Sequence, residues 1–215
     1  MDGRVERGHI ALLGDSILDN GGYTSGGPDV ISQLREMLPP SWRASLLAVD
    51  GSMIADLADQ LLRLPPDVSH LVIAIGGNDV LASMELMRSP AKSVAEALLR
   101  VGERAGRFEL AYRTMIDPVR RLGRSTTVCT IYNGNLSPDE AAVARVGLRA
   151  FNDVILRVAF ESRFQVIDLR LVCNEPADYA NPIEPSSTGG EKIARTIIAS
   201  LGLTERPIER SQVFF

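Results

Sequence analysis

Three short polar segments carry residues that could perform acyl-transfer chemistry. Ser16 follows an apolar run in the segment Leu-Gly-Asp-Ser, and its hydroxyl could act as a nucleophile. Asn78, in Gly-Gly-Asn-Asp after a second apolar run, offers a side-chain amide, and Gly51 offers a backbone N–H that a ligand can approach closely. With the N–H of Ser16, these donors could stabilise the charge that develops on a carbonyl oxygen. The segments therefore indicate a nucleophile and an oxyanion hole.

The elements that must position these residues alternate between strands and helices. Apolar runs predict five strands, near residues 9–14, 43–49, 69–75, 125–131 and 164–168. Helical patterns follow them, near residues 29–38, 53–63, 90–116, 138–161 and 188–201. Near-continuous apolar strands are typical of a parallel sheet that is covered on both faces. The alternation predicts a three-layer α/β/α domain with about five parallel strands.

The predicted sheet decides which residues can meet. Ser16, Gly51 and Asn78 each follow a strand, so we expect them at the carboxyl edge of the sheet, where ligands bind in such folds. The only two histidines, His9 and His70, begin strands and belong at the opposite edge. Neither histidine is therefore expected to reach the Ser16 hydroxyl.

Four blocks of sequence occur in order over residues 9 to about 201: Gly14-Asp15-Ser16, Gly51 in Val-Asp-Gly-Ser, Gly76-Gly77-Asn78-Asp79, and Pro-Ser-(x)2-Gly-Gly-(x)2-Ile-Ala at 185–194. Together they resemble the blocks of the SGNH hydrolase family, also called GDSL-type esterases and lipases. The resemblance implies a flavodoxin-like sheet with strand order 2-1-3-4-5. It also implies a Ser16 nucleophile, oxyanion donors from Ser16, Gly51 and Asn78, and a small-molecule ester or acylated substrate.

The last block departs from the family, which normally carries Asp-x-x-His before Pro-Ser; here Asn181 and Glu184 replace both residues. A carboxylate can accept the serine proton, but an ordinary Glu has a pKa of about 4.3 against about 6.5 for His. Burial would raise the pKa of Glu184, and Asn181 could donate a hydrogen bond to its carboxylate without adding charge. The leading interpretation is an esterase, lipase or deacylase that uses Ser16 and Glu184. The alternative is a catalytically impaired ligand-binding protein in which Glu184 pairs with an arginine.

Further acidic and loop residues are secondary candidates. Asp15 and Asp79 are interpreted as acceptors that stabilise their turns, and Asp168 as a further candidate for a supporting acid. The glycine-rich loop 21–27 leaves open a nucleotide or flavin protein, although it matches no phosphate-binding motif. A loop that borders the ester pocket is the better interpretation. Candidates for lining that pocket are Tyr23, Tyr132 and Asn133.

Composition limits the remaining function classes. The chain has 215 residues, of which 45% are hydrophobic, and fits one domain over 1–215 with a core at about 9–201 and a tail at 204–215. A formal net charge of −4 and scattered arginines argue against a nucleic-acid surface. The sequence predicts no cofactor, no metal site and no signal or transmembrane segment, and hence a cytoplasmic location. Cys129 and Cys173 are expected to be reduced and buried, and the oligomeric state stays open.

Overall fold

A computed structural model describes residues 7–85, 89–204 and 213, and its centre is a five-stranded sheet. The strands are β1 (Gly8–Gly14), β2 (Trp42–Leu46), β3 (His70–Ala74), β4 (Ser125–Cys129) and β5 (Gln165–Ile167). Every neighbouring pair is parallel, and the strand order is β2-β1-β3-β4-β5. This confirms the predicted fold class and the order 2-1-3-4-5.

Helices cover both faces of the sheet. They are α1 (Val30–Met37), α2 (Leu57–Leu62), α3 (Gly77–Leu81), α4 (Val94–Arg121), α5 (Pro138–Glu161), α6 (Leu169–Val172) and α7 (Ser187–Ser200). Alternate residues of β1 enter different cores: Ala11 and Leu13 pack in a cluster with residues of α2, α4 and α5, whereas Ile10 and Leu12 pack with α1 and α7. Because both strand faces are covered, the apolar runs in the sequence are nearly continuous.

Several boundaries differ from the predicted ones. The long helix α4 begins four residues later than predicted, because the Ser93 side chain accepts a hydrogen bond from the Glu96 N–H and caps the helix there. The same helix continues through Pro118 to Arg121 rather than ending near 116. Strand β2 ends at Leu46, although the next residues still bond to β1 through the carbonyls of Leu12 and Gly14. The short helices α3 and α6 were not predicted.

Three further predictions concern the cysteines, membrane-spanning segments and the C-terminal tail. Cys129 and Cys173 are free and buried, as predicted. Within the described residues, no helix is both long enough and apolar enough to cross a bilayer. The predicted C-terminal tail lies largely outside the described residues, at 205–212 and 214–215.

Candidate active site

Ser16 lies directly after β1, where that strand is held against β3. Gly14 has a φ of +133°, and a Cβ there would lie 1.7 Å from the carbonyl oxygen of Ala74. Only glycine fits so close to a neighbouring backbone. The Asp15 N–H then donates to the same Ala74 carbonyl at 3.0 Å. This turn places Ser16, which is 6% exposed, at the wall of a cavity above the sheet.

Gln60 of α2 clamps this turn, and sequence reasoning missed it. Its side-chain oxygen accepts from the Gly14 N–H at 2.7 Å, and its amide donates to the Gly14 carbonyl at 2.8 Å. The same amide lies 3.2 Å from the Ser52 hydroxyl, so Gln60 also holds the loop after β2. A glutamine among apolar helix residues was the only available signal. Its complete burial, at 1% exposed, could not be read from the sequence.

The other two predicted oxyanion donors, Gly51 and Asn78, follow β2 and β3 in the chain. Asn78 lies in α3 and lines the cavity, and its side-chain amide donates to the Ser52 carbonyl at 2.9 Å. The amide keeps a second N–H for a ligand. Gly51 precedes Ser52 and has a φ of +80°, and among the described residues neither its N–H nor that of Ser16 has a hydrogen-bond partner. Each of the three residues thus keeps an N–H available, but only Ser16 and Asn78 of the three line the cavity, whereas Gly51 is exposed outside its wall.

Glu184 lies on a loop before α7 that is fastened at several points. Its carbonyl accepts from the Ala180 N–H at 2.9 Å, and the Tyr132 hydroxyl donates to the carbonyl of the preceding residue, Ile183. On the other side, the Asn20 side chain donates to the carbonyls of Pro185 and Ser186. The loop therefore holds Glu184 in the cavity wall, where the side chain is only 8% exposed.

Asp178 anchors the start of the same loop. It is completely buried and accepts from the backbone N–H groups of Asn174 and Glu175, and it forms an ion pair with Lys192 at 2.7 Å. A Cβ at Gly189 would lie 2.1 Å from the Asp178 carbonyl oxygen, so only glycine fits at this position in the first turn of α7. Asp178 and Tyr132 were not predicted as loop anchors. The hydrogen bond of Tyr132 and the ion pair between Asp178 and Lys192 join separate segments and leave no local sequence pattern.

Burial is the main influence on the Glu184 carboxyl and raises its pKa. Hydrogen bonding by the Ser16 side chain acts in the opposite direction, and the charge of Asp50 adds to the rise. One carboxylate oxygen, Oε2, is buried and has no hydrogen-bond partner among the described residues. Glu184 is thus a carboxylate beside a serine, with a lone pair free to accept a proton.

The predicted role of Asn181 is corrected. Its side-chain oxygen accepts from the N–H groups of Ile183 and Glu184, both at 2.9 Å, and the residue itself is exposed. Asn181 therefore shapes the loop backbone instead of donating to the Glu184 carboxylate. A side-chain carbonyl that bonds to backbone N–H groups two and three residues ahead is the usual geometry of an asparagine turn.

Asp15 is a second buried carboxyl in the same wall, 2% exposed. Its Oδ1 accepts from the Ile17 N–H at 3.1 Å, which is the turn role that the sequence indicated. Burial raises the pKa of Asp15 to about 7, and the charges of Glu184 and Asp79 contribute to the rise. Asp15 is therefore protonated over a pH range in which an ordinary aspartate is ionised.

This shift predicts that Asp15 makes folding stability fall as pH rises. The folded state holds the Asp15 proton up to about pH 7, whereas the unfolded chain releases it near pH 3.8. The destabilisation caused by an ionised, buried Asp15 is therefore absent below about pH 3.8 and complete above about pH 7. Relative to the wild type, Asp15→Asn should gain up to about 4 kcal/mol of unfolding free energy between about pH 4 and pH 8. Denaturant titrations at both pH values measure this gain. Asp59→Asn, at an exposed position, is the control and should show no such gain.

The cavity extends from Ser16 toward α3 and α5 and is partly open to solvent, and its space including the open mouth amounts to about 770 Å³. Apart from Asp15, Ser16, Asn78, Asn133 and Glu184, its walls are mostly apolar. The main apolar residues are Ile17, Val80, Leu81, Met84, Ile131, Leu136, Ala144, Leu148 and Ile183. Within residues 7–85, 89–204 and 213, no lysine, arginine or histidine lines it. Of the predicted pocket residues, Tyr132 and Asn133 lie in this wall.

Other predicted residues lie elsewhere. Asp79 accepts from the Ile54 N–H at 3.0 Å and braces the loop after β2. Tyr23, in the glycine-rich loop, donates to Asp50 at 2.7 Å, outside the cavity wall.

Asp168 is engaged with Arg170 and Thr130, which removes it as a supporting acid. His9 bonds to Asp67 and Ser45 at the far edge of the sheet, and within the described residues no group of His, Cys, Asp and Glu could hold a metal ion.

The sequence matches a protein-family model, and the structure resembles solved proteins. Residues 12–190 match the model of a GDSL-like Lipase/Acylhydrolase family. No curated protein matches the sequence. Among solved structures, an extracellular lipase from Streptomyces rimosus has a TM-score of 0.66 at 15% identity, covering 91% of this chain and 99% of the lipase. Phospholipase A1 from Streptomyces albidoflavus has a TM-score of 0.65 at 16% identity, and the match covers 89% of this chain and 99% of the phospholipase. An acetylxylan esterase from Geobacillus stearothermophilus has a TM-score of 0.64 at 19% identity, and the match covers 91% of this chain and 94% of the esterase.

Proposed function

Because the chain belongs to the GDSL-like lipase/acylhydrolase family, we propose that it hydrolyses carboxylic esters with Ser16 as the nucleophile and Glu184 as the general base. The observation that supports this most is the position of Glu184. Its buried carboxylate lies beside Ser16, interacts with the serine side chain and keeps one oxygen without a partner. An ionised carboxylate in this setting can accept the serine proton.

The proposed reaction has two halves. The Ser16 oxygen attacks the ester carbonyl carbon while its proton passes to Glu184, and the N–H groups of Ser16, Gly51 and Asn78 bind the oxyanion. Glu184 then returns the proton to the departing alcohol. In the second half, Glu184 takes a proton from water, the hydroxide attacks the acyl group, and Ser16 regains its proton as the acid leaves.

A glutamate is a weaker base than histidine, and burial offsets this. Burial raises the pKa of Glu184, which moves its basicity toward that of histidine. The carboxylate also needs no acidic partner to select a tautomer, so the family's aspartate is not required at position 181.

Loss of catalysis is the competing proposal, in which the same site binds an acylated ligand without cleaving it. That interpretation expects the Glu184 carboxylate to be neutralised by an arginine. Within the described residues, Glu184 forms no ion pair, and no cation lines the cavity. Turnover of aryl esters with short and medium acyl chains separates the two proposals, since a binding protein would only be stabilised thermally by such ligands.

The apolar cavity next to Ser16 predicts a preference for acyl chains longer than acetyl, because each buried methylene contributes about 0.8 kcal/mol. Ala144 lies in its wall and is 7% exposed. Ala144→Phe should fill this space and lower kcat/KM for p-nitrophenyl octanoate at least about tenfold relative to the acetate ester.

The matched control is Ala142→Phe, an exposed position on the same helix. It should leave the octanoate-to-acetate ratio unchanged. An equal ratio in the wild type and in Ala144→Phe would show that the acyl chain does not enter this cavity.

A further inference from the structure

Asp15 carries a buried carboxyl oxygen that the proposed reaction does not use. Its Oδ1 is engaged by the Ile17 N–H, whereas Oδ2 has no hydrogen-bond partner among the described residues. Oδ2 lies close to the backbone of α3, since a Cβ at Gly77 would be 3.7 Å away from it. A carboxylate with one buried oxygen that accepts no hydrogen bond lacks most of the solvation that its charge requires.

Glu184 has the same deficiency in the same cavity wall. Its Oε2 is also buried without a partner, and its charge acts on Asp15. The other titratable groups around Asp15 are Asp79 from α3, Cys129 from β4 and Tyr132 from the following loop. None of these groups contributes a positive charge, and among the residues that the structure describes no lysine, arginine or histidine lines the cavity.

Two neighbouring carboxyls that face no cation in the described part of the chain do not both ionise readily, because like charges in a poorly solvated site repel strongly. One proton is then retained by the pair. Glu184 is the better site for the remaining charge, since the Ser16 side chain hydrogen-bonds to it and it is 8% exposed against 2% for Asp15. Asp15 is the better site for the proton.

We propose that Asp15 is a positioning residue that stays a neutral carboxylic acid in the working enzyme, so that the buried pair carries one negative charge, on Glu184. This inference rests on the proposed function. In this state Glu184 can take the serine proton, and the oxyanion forms without a second buried charge nearby. When Asp15 loses its proton to solvent, the added charge opposes the oxyanion and slows acylation. Asp15 therefore sets the alkaline limit of activity.

The test compares kcat/KM at about pH 9 with kcat/KM at about pH 6 within each variant, after subtraction of spontaneous hydrolysis. In the wild type, kcat/KM should be at least about tenfold lower at about pH 9 than at about pH 6, because Asp15 is ionised at the higher pH. Asp15→Asn retains an oxygen for the Ile17 N–H but cannot ionise, and its ratio should stay near one. Asp79→Asn removes a further acid near Asp15 and should show the same decrease in kcat/KM between about pH 6 and about pH 9 as the wild type.

A fall in Asp15→Asn equal to that of the wild type would overturn the inference and leave the esterase proposal intact. A second readout does not depend on turnover. The infrared C=O band of a protonated carboxyl should be present in the wild type at about pH 6, disappear by about pH 9, and be absent from Asp15→Asn. A band that persists in Asp15→Asn would assign the retained proton to another acid. If the band behaves as expected but no ester is hydrolysed, the proposed function fails while the neutral Asp15 stands.

Discussion

Glu184→Gln should lower kcat/KM for a short-chain aryl ester by roughly 10²- to 10⁴-fold at neutral pH. The amide has nearly the shape of the carboxylate but cannot accept the serine proton. The loop should keep its conformation, because its anchors use the backbone carbonyls at positions 183 to 186 and not this carboxyl group. Initial rates measured over a pH series give both the size of the loss and the pH range in which it occurs.

The control for this variant is Glu36→Gln, an exposed position on α1, which should behave as the wild type. A second comparison restores the usual block of the family with Glu184→His and Asn181→Asp together. That double variant should recover part of the activity lost in Glu184→Gln and move the acidic limb of the profile toward the pKa of histidine, about 6.5. Equal rates in Glu184→Gln and the wild type would remove Glu184 from the mechanism.

Ser16→Ala should reduce turnover of the same ester by at least about 10³-fold, since no covalent intermediate can form without the hydroxyl. The oxyanion donors and the cavity would remain, so a small residual rate above the solvent background is expected. Circular dichroism and thermal unfolding establish that the variant is folded. Ser32→Ala, at an exposed position on α1, is the matched control.

The architecture and part of the site could be predicted because they depend on local patterns. Apolar runs mark buried parallel strands, and the strand-to-helix turns place Ser16 and Asn78 at one edge of the sheet. Helix α5 was predicted at its observed bounds, 138–161, since proline at its first position marks the start. The short helices α3 and α6 contain too few residues to display a helical period.

The remaining features of the site depend on side-chain direction and depth. Asn181 could be expected to donate or to accept, and only the loop geometry shows that its oxygen holds the backbone. Gln60 holds Gly14, which is far away in the chain, and Asp178 pairs with Lys192 of α7. The burial of Asp15 beside Glu184 arises from packing of α3 against the end of β1, which no local pattern encodes. Long-range contacts of this kind set the electrostatics of the site.

The pairing of Ser16 with Glu184 is tested most directly by covalent labelling with a serine-directed phosphonate, followed by mass spectrometry of the modified peptide. The wild type should carry one phosphonyl group on Ser16, and Glu184→Gln should be labelled at the same residue at a rate at least about 10²-fold lower at neutral pH. Labelling at another residue would contradict the nucleophile. Labelling of Ser16 at equal rates in both proteins would contradict the base.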